Sequence, residues 1–169
     1  MAQRDDQRGP RAVETAEAEV KVLFDTSVLV IALTPALPGH SAAYRWLAAA
    51  VAGRIDGIMT WHGFAEAWSV LTRLPIKPPP SPLAVSESLE SLQKVIMRRP
   101  LDGRTYLEAS RRCVERGLRS GAIFDALHVV VGERERAHAL VTANVKDFER
   151  LAGPLSPRIV SYEAAVERQ

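Results

Sequence analysis

The residues from Val20 to Phe24 form a nearly continuous apolar run that ends directly at a carboxylate, Asp25. A run of this kind is typical of a strand that is covered on both faces, as in a parallel sheet between two layers of helices. A carboxylate at the end of such a strand loses hydration and needs a compensating partner. The position of Asp25 therefore indicates a polar site at the end of the first strand.

The rest of the chain alternates short apolar strands with helical segments. Further strands are predicted at Gly57–Thr60, near Leu101, at Ala139–Thr142 and at Arg158–Ser161. Helices are predicted over 26–33, 41–51, 61–74, 83–97, 103–116, 123–136 and 145–151, with another at the C-terminus. This alternation predicts an α/β fold, a three-layer α/β/α sandwich with a central, mostly parallel sheet of four to five strands.

The length of 169 residues favours one domain with a single sheet. Residues 1–19 are polar and charged without an apolar period, so we expect a flexible N-terminal leader followed by a single domain over 20–169. No apolar run reaches the ~20 residues that span a bilayer. The single cysteine, Cys113, fits a reducing compartment, and we expect a cytoplasmic protein without a membrane segment.

Four acidic residues follow the predicted strand ends or lie near helix starts. Asp25 follows the first strand, Glu66 lies inside an apolar helix, Asp125 begins another apolar helix, and Asp147 follows the strand at Ala139–Thr142. Because parallel strands end at one edge of a sheet, we expect these acids to converge. Taken singly, Asp25 and Asp125 also fit helix-cap or first-turn positions, and Asp147 fits an ordinary turn.

Carboxylates that converge in apolar surroundings repel one another, and their pKa values rise unless a cation is shared. Oxygen ligands without a Cys/His pattern favour Mg²⁺ or Mn²⁺ over Zn²⁺. Such ions activate water and stabilise charge during phosphodiester cleavage. The sequence has neither a Ser-His-Asp or Cys-His set nor a glycine-rich phosphate loop.

Four short motifs occur in order along the chain: Phe24-Asp-Thr-Ser-Val-Leu29, Ala65-Glu66, Phe124-Asp-Ala-Leu-His128, and Leu140-Val-Thr-Ala-Asn144 with Lys146-Asp-Phe148. This ordered set resembles the PIN domain family, and within it the VapC-type ribonuclease toxins of bacterial toxin–antitoxin pairs. The resemblance covers about residues 20–165. It implies a Mg²⁺- or Mn²⁺-dependent endoribonuclease that acts on RNA, is inhibited by a cognate antitoxin protein and forms a homodimer.

The resemblance also implies roles for individual residues. Asp25, Glu66 and Asp125 match the family's acidic positions and are expected to be catalytic metal ligands. The fourth acidic position falls on Asn144, which can ligate through its carbonyl oxygen, whereas Asp147 three residues later can supply the missing charge. Both remain candidates, and the choice bears on whether the site holds one metal or two.

The hydroxyls that follow Asp25, on Thr26 and Ser27, are expected to orient a carboxylate or a metal-bound water. Basic and polar residues near the acids are candidates for RNA contact, each with a solvated surface position as the alternative. These candidates are Arg119, Ser120, Lys146 and His128. For His128 the alternative is a packed core position.

Two other functions remain open: a PIN-domain nuclease in RNA processing outside a toxin–antitoxin pair, and a PIN-like binding protein with an impaired site. The presence of Asn144 at an acidic position keeps the second open. A haloacid dehalogenase is not indicated, because Asp25 is followed by Thr-Ser instead of x-Asp. Apolar faces at 44–51 and from the proline-rich loop to Met97 either form a groove for an antitoxin helix or complete the core.

Overall fold

A computed structural model describes residues 20–166, so the expected leader at 1–19 lies outside the described residues. Five strands form one sheet in the order β3-β2-β1-β4-β5, and every neighbouring pair is parallel. The strands are β1 Lys21–Phe24, β2 Asp56–Thr60, β3 Ile96–Arg99, β4 Ala139–Thr142 and β5 Arg158–Ser161. The predicted parallel sheet is confirmed.

Seven α-helices connect and cover these strands within residues 20–166. They are α1 Thr26–Leu33, α2 His40–Val51, α3 Trp61–Leu71, α4 Pro82–Ser91, α5 Gly103–Glu115, α6 Ala122–Arg134 and α7 Val145–Leu151. None of them is long and apolar enough to cross a membrane.

Side chains of β1 alternate between two separate cores, one on each face of the sheet. Val22 and Phe24 pack in a core with residues of α1, α2, α3 and α4. Leu23, which points the opposite way, packs in a core with residues of α5, α6 and α7. A strand that is buried on both faces is the arrangement that its continuous apolar run predicts, and the three-layer α/β/α sandwich is confirmed.

The region between α3 and α5 differs from the sequence-based prediction. The helix predicted over 83–97 ends at Ser91, and a single 3₁₀ turn over Leu92–Lys94 leads into β3. The third strand is therefore Ile96–Arg99, and the strand predicted near Leu101 is absent from the described residues. Pairing of Ile96–Arg99 with Gly57–Thr60 of β2 outweighs the local helical pattern.

The end of α3 and the segment after β5 also differ from the prediction. The helix from Trp61 ends at Leu71, three residues before the predicted end at Leu74. After β5 the described chain forms a turn and irregular structure up to residue 166, so the predicted C-terminal helix is not found there.

The route of the chain places a crevice at one edge of the sheet. The connection from β1 to β2 runs through α1 and α2 on one face, whereas the connection from β4 to β5 runs through α7 on the other. The loops that leave β1 and β4, which are neighbouring strands, therefore diverge at their carboxyl ends. Ligands in open α/β sheets bind at such a point, where the connections of two neighbouring strands leave on opposite faces.

Candidate active site

Asp25 sits at this crevice, in the N-cap position of α1, but its side chain makes no capping bond. The residue is only 5% exposed. Its Oδ2 atom accepts hydrogen bonds from Thr142 Oγ1 at 2.8 Å and from Ser27 Oγ. A helix cap therefore does not explain Asp25. The buried carboxylate is held by two hydroxyls, one from each side of the crevice.

The same hydroxyls join the loops that follow β1 and β4. Ser27 Oγ accepts from the backbone N–H of Ala143 at 3.1 Å, and Thr142 Oγ1 accepts from the N–H of Asn144 at 2.9 Å. Thr142 is fully buried. The sequence alone did not predict that Thr142 holds Asp25. Its position as the last residue of a predicted strand could have indicated this, because parallel strands end at the same edge of the sheet as Asp25.

Glu66 lies on α3, on the other side of α1, and is partly exposed. Its Oε2 atom accepts a hydrogen bond from Thr26 Oγ1 at 3.1 Å. Two imidazole nitrogens face the same oxygen, His62 Nε2 at 3.7 Å and His128 Nε2 at 3.8 Å. Burial alone would raise the pKa of Glu66, but His128, His62 and Thr26 together hold that pKa below its ordinary value. Glu66 therefore favours the ionised form.

The close approach of α3 to α6 depends on Gly63. A Cβ atom on Gly63 would lie 3.0 Å from His128 Cε1 and 3.3 Å from Thr26 Oγ1, closer than ordinary packing allows. Thr60 caps α3 by accepting from the Gly63 N–H at 2.8 Å. A glycine inside a helix usually lowers helix stability, so this residue could have been recognised as a point of close packing.

Asp125 lies in the first turn of α6, where a helix dipole normally favours the ionised form. Instead its pKa is raised from 3.8 to about 6, first by burial and next by the negative charge of Asp25, with further contributions from Asp147 and Glu66. The positive character of His128 acts in the opposite direction. The other three predicted acids thus lie near enough to act on Asp125, and burial together with their repulsion outweighs the helix dipole at this residue.

The fourth acidic position is shared by two residues of the β4–α7 connection. Asn144 is the N-cap residue of α7, is exposed, and makes no side-chain capping bond. Asp147 lies in the first turn of α7 and lines an open pocket together with Asp125 and Arg150. Arg150 Nη1 lies 3.9 Å from Asp147 Oδ1. Arg150 was not among the sequence-based candidates, because its helical spacing from Asp147 resembles an ordinary surface ion pair.

The donor set suits a hard divalent cation, since it consists of carboxylate, amide and hydroxyl oxygens. Among residues 20–166, however, no three acidic, histidine or cysteine side chains are close enough to hold a metal ion directly. Mg²⁺ usually retains several waters and binds through one or two carboxylates, so it does not need a closed set of three. Asp25 and Asp125 carry carboxylates of this kind, and the charge of Asp25 acts on Asp125.

The predicted RNA contacts fall into two groups. Arg119 and Ser120 lie on the exposed loop before α6, and Lys146 is exposed on the first turn of α7, so all three flank the acids. His128 is only 1% exposed. This burial agrees with the packed-histidine interpretation and leaves no surface for direct contact between His128 and RNA.

Comparison with known proteins supports this description of the fold. The sequence model of the PIN domain matches residues 22–154. No curated protein matches the sequence.

Several solved structures share the fold at low sequence identity. VapC20 of Mycobacterium tuberculosis, described as a sarcin-ricin loop cleaving toxin, is 18% identical with a TM-score of 0.58, and the match covers 70% of this chain and 86% of that one. VapBC2 of Rickettsia felis, bound to a DNA fragment from its promoter, is 17% identical with a TM-score of 0.60, covering 83% and 98%. VapBC-1 of nontypeable Haemophilus influenzae is 15% identical with a TM-score of 0.59, covering 85% and 99%.

Proposed function

Because this chain belongs to the PIN domain family, we propose that it is a metal-dependent endoribonuclease of the VapC toxin type, acting in the cytoplasm and inhibited by a cognate antitoxin. The observation that carries the proposal is the convergence of Asp25, Glu66, Asp125 and Asp147 from four separate segments on one edge of the sheet. Several solved structures with this fold are toxins or toxin–antitoxin complexes, which supports the same function.

The cofactor of the proposed reaction is Mg²⁺ or Mn²⁺, held by Asp25 and Asp125. When bound, such an ion lowers the pKa of a coordinated water and offsets charge on the phosphoryl oxygens. The protein's own contribution is positional. Ser27 and Thr142 both donate to Oδ2 of Asp25, which leaves Oδ1 without a hydrogen bond from the described residues and available to a ligand.

Glu66 and the fourth position complete the site in this proposal. Glu66, held by Thr26 and kept ionised by two imidazoles, orients water at the cleft. Asp147 supplies the negative charge that Asn144 lacks, and Asn144 offers a carbonyl oxygen to a water. A site with three strong acidic positions and one displaced acid is sufficient for hydrolysis by one ion.

Exposed basic residues beside the pocket are proposed to bind the phosphates of the RNA substrate. Arg119, Lys146 and Arg150 are exposed, and Arg150 lines the pocket with Asp125 and Asp147. Arginine and lysine side chains supply the salt-dependent part of binding to a nucleic-acid backbone. Ser120 lies beside Arg119 and is proposed to donate its hydroxyl to the same backbone.

The antitoxin is proposed to dock in an apolar groove of about 310 Å³ at the ends of α1 and α3. Its lining includes Leu33, Leu71, Ile76, Pro80 and Val85. An amphipathic helix buries its apolar face in a groove of this kind. Residues of the proline-rich segment line this groove, whereas none of residues 44–51 does.

A homodimer is part of the same proposal. Leu107 and Val114 lie on α5, spaced two helical turns apart, and are 61% and 77% exposed. Exposed apolar side chains at such spacing are typical of helix–helix contacts between subunits. Light scattering of the purified protein, compared with a Leu107→Glu, Val114→Glu variant, tests this part.

The decisive experiment uses the purified full chain, a labelled RNA and Mg²⁺ or Mn²⁺. We expect cleavage that stops with EDTA and is lost in Asp25→Asn and Asp125→Asn variants of unchanged circular dichroism. Cleavage by both variants at the wild-type rate would refute the assignment. Growth arrest on expression, relieved by a small protein from the neighbouring reading frame, separates a toxin from an RNA-processing nuclease. Absence of cleavage together with RNA binding would favour the impaired binding protein.

A further inference from the structure

The buried imidazole of His128 has no role in the mechanism above beyond its effect on the pKa of Glu66. It lies on α6 one turn after Asp125 and is 1% exposed. Neither ring nitrogen has a hydrogen-bond partner within residues 20–166. A buried polar group without a partner destabilises a fold, so an apolar side chain would pack here at lower cost.

The residues around the His128 ring allow it to approach Glu66 closely. Nε2 of His128 lies 3.8 Å from Oε2 of Glu66, an ion-pair distance that a shift of about 1 Å converts into a hydrogen bond. Gly63 provides the space, because a Cβ there would lie 3.0 Å from His128 Cε1. Thr26 Oγ1 donates to the same carboxylate oxygen at 3.1 Å.

A second imidazole approaches Glu66 from its own helix. His62 Nε2 lies 3.7 Å from Oε2, and the His62 ring stacks on Phe124 with centroids 5.0 Å apart. His62 is partly exposed, although its Nε2 atom is buried, whereas His128 is 1% exposed and both of its ring nitrogens are buried. The enclosed ring therefore offers the fixed contact.

We propose that His128 is a positioning residue that fixes the carboxylate of Glu66, with Thr26 as the second holding group. The inference rests on the proposed function, because it assigns to Glu66 an orientation that the metal-dependent reaction uses. In this arrangement Nε2 of His128 carries a hydrogen and donates a hydrogen bond to Oε2 of Glu66. Glu66 then presents its other oxygen, Oε1, to the cleft.

The test compares two substitutions of different chemistry in the full chain. His128→Leu keeps an apolar side chain of similar bulk, whereas His128→Gln keeps an N–H donor near the position of Nε2. We expect His128→Leu to weaken Mn²⁺ binding, measured by titration calorimetry, and RNA cleavage by about 10- to 100-fold. His128→Gln is expected to retain most of both. Equal loss in the two variants would overturn the proposal.

A double-mutant cycle with Glu66→Gln shows whether His128 acts through Glu66. We expect His128→Leu to cause no further loss of Mn²⁺ affinity once Glu66 is neutral. The same loss in both backgrounds would overturn the proposal. Gly63→Ala, which pushes the His128 ring away without changing it, is expected to weaken Mn²⁺ binding as well. The control is His40→Leu, which removes an imidazole on α2 that is hydrogen-bonded to the carbonyl oxygen of Ile31 on α1.

A measurement on the metal-free protein separates this proposal from the proposed function. In EDTA, the change in urea midpoint caused by His128→Leu is expected to differ between the wild-type and Glu66→Gln backgrounds. Additive midpoints would refute the contact between His128 and Glu66 even if the enzyme cleaves RNA. If the wild-type protein neither binds Mn²⁺ nor cleaves RNA, the proposed function fails, while non-additive midpoints still establish the contact.

Discussion

Replacing Asp125 by asparagine is expected to stabilise the metal-free protein at neutral pH. Burial and the charges of Asp25, Asp147 and Glu66 raise the pKa of Asp125 from 3.8 to about 6. An acid with a raised pKa binds its proton more tightly in the folded state, so its contribution to stability is greatest below about pH 4 and falls as the pH rises through 6. A rise of about two pKa units corresponds to about 3 kcal/mol at most.

Asparagine has nearly the same shape and carries no charge at any pH. We therefore expect Asp125→Asn to raise the free energy of unfolding by about 1–3 kcal/mol at pH 8, with the gain shrinking toward zero near pH 4. The assay is urea denaturation in EDTA at pH 4.5, 6 and 8, followed by circular dichroism. Added Mg²⁺ is expected to stabilise the wild-type protein more than the variant, because a bound cation removes the same repulsion.

Asp102 is a matched control. It is an acid at the N-cap of α5 that accepts hydrogen bonds from Thr105, and no carboxylate is among the groups that shift its pKa. Its pKa is lowered to about 2 by those bonds with Thr105, so Asp102→Asn is expected to destabilise at pH 8. If Asp125→Asn is also destabilising at pH 8, or if its effect does not change with pH, the carboxylates do not repel one another at this site and the reasoning is wrong.

Three further substitutions test the surroundings of the site and the core. Thr142→Val removes the hydroxyl that holds Asp25, and we expect cleavage to fall about 10- to 100-fold while urea denaturation shows a loss of about 1–3 kcal/mol. Phe148→Ala empties a fully buried position and is expected to lower the free energy of unfolding by about 3–5 kcal/mol; a loss below 1 kcal/mol would contradict its burial. Arg112→Met removes the guanidinium that donates to Glu133 at 2.8 and 2.7 Å, so we expect the free energy of unfolding to fall by about 3–5 kcal/mol. The double variant Arg112→Met, Glu133→Met is expected to recover most of this loss.

The sheet and most helices follow from sequence because their patterns are unambiguous. The uninterrupted apolar run before Asp25 predicts a strand buried on both faces, and the two cores on either side of β1 agree with it. The segment 92–99 was misread because its Val95 and Ile96 continue a helical apolar pattern. Only the pairing of Ile96 with Gly57 of a distant strand decides that it is a strand.

The site could be predicted in outline for a similar reason. Asp25 follows a strand and Asp125 begins a helix, so the predicted strand and helix boundaries were enough to place both residues near one edge of the sheet. The contacts that hold them could not be predicted, because Thr142 and Gly63 act through close approaches between segments far apart in sequence. His128 illustrates the limit: the sequence left RNA contact and a packed core position as alternatives, and only the packing of α3 on α6 shows that the ring turns inward to Glu66.

The central position of β1 has a consequence for how the protein is made. Asp25 is synthesised early among the described residues, yet β4, the strand beside β1, begins only at Ala139 and ends at Thr142. A nascent or truncated chain that stops before β4 has an open sheet edge and an unheld carboxylate. The site is therefore assembled only after Thr142 has been synthesised, so that fragments that stop before β4 are expected to be inert.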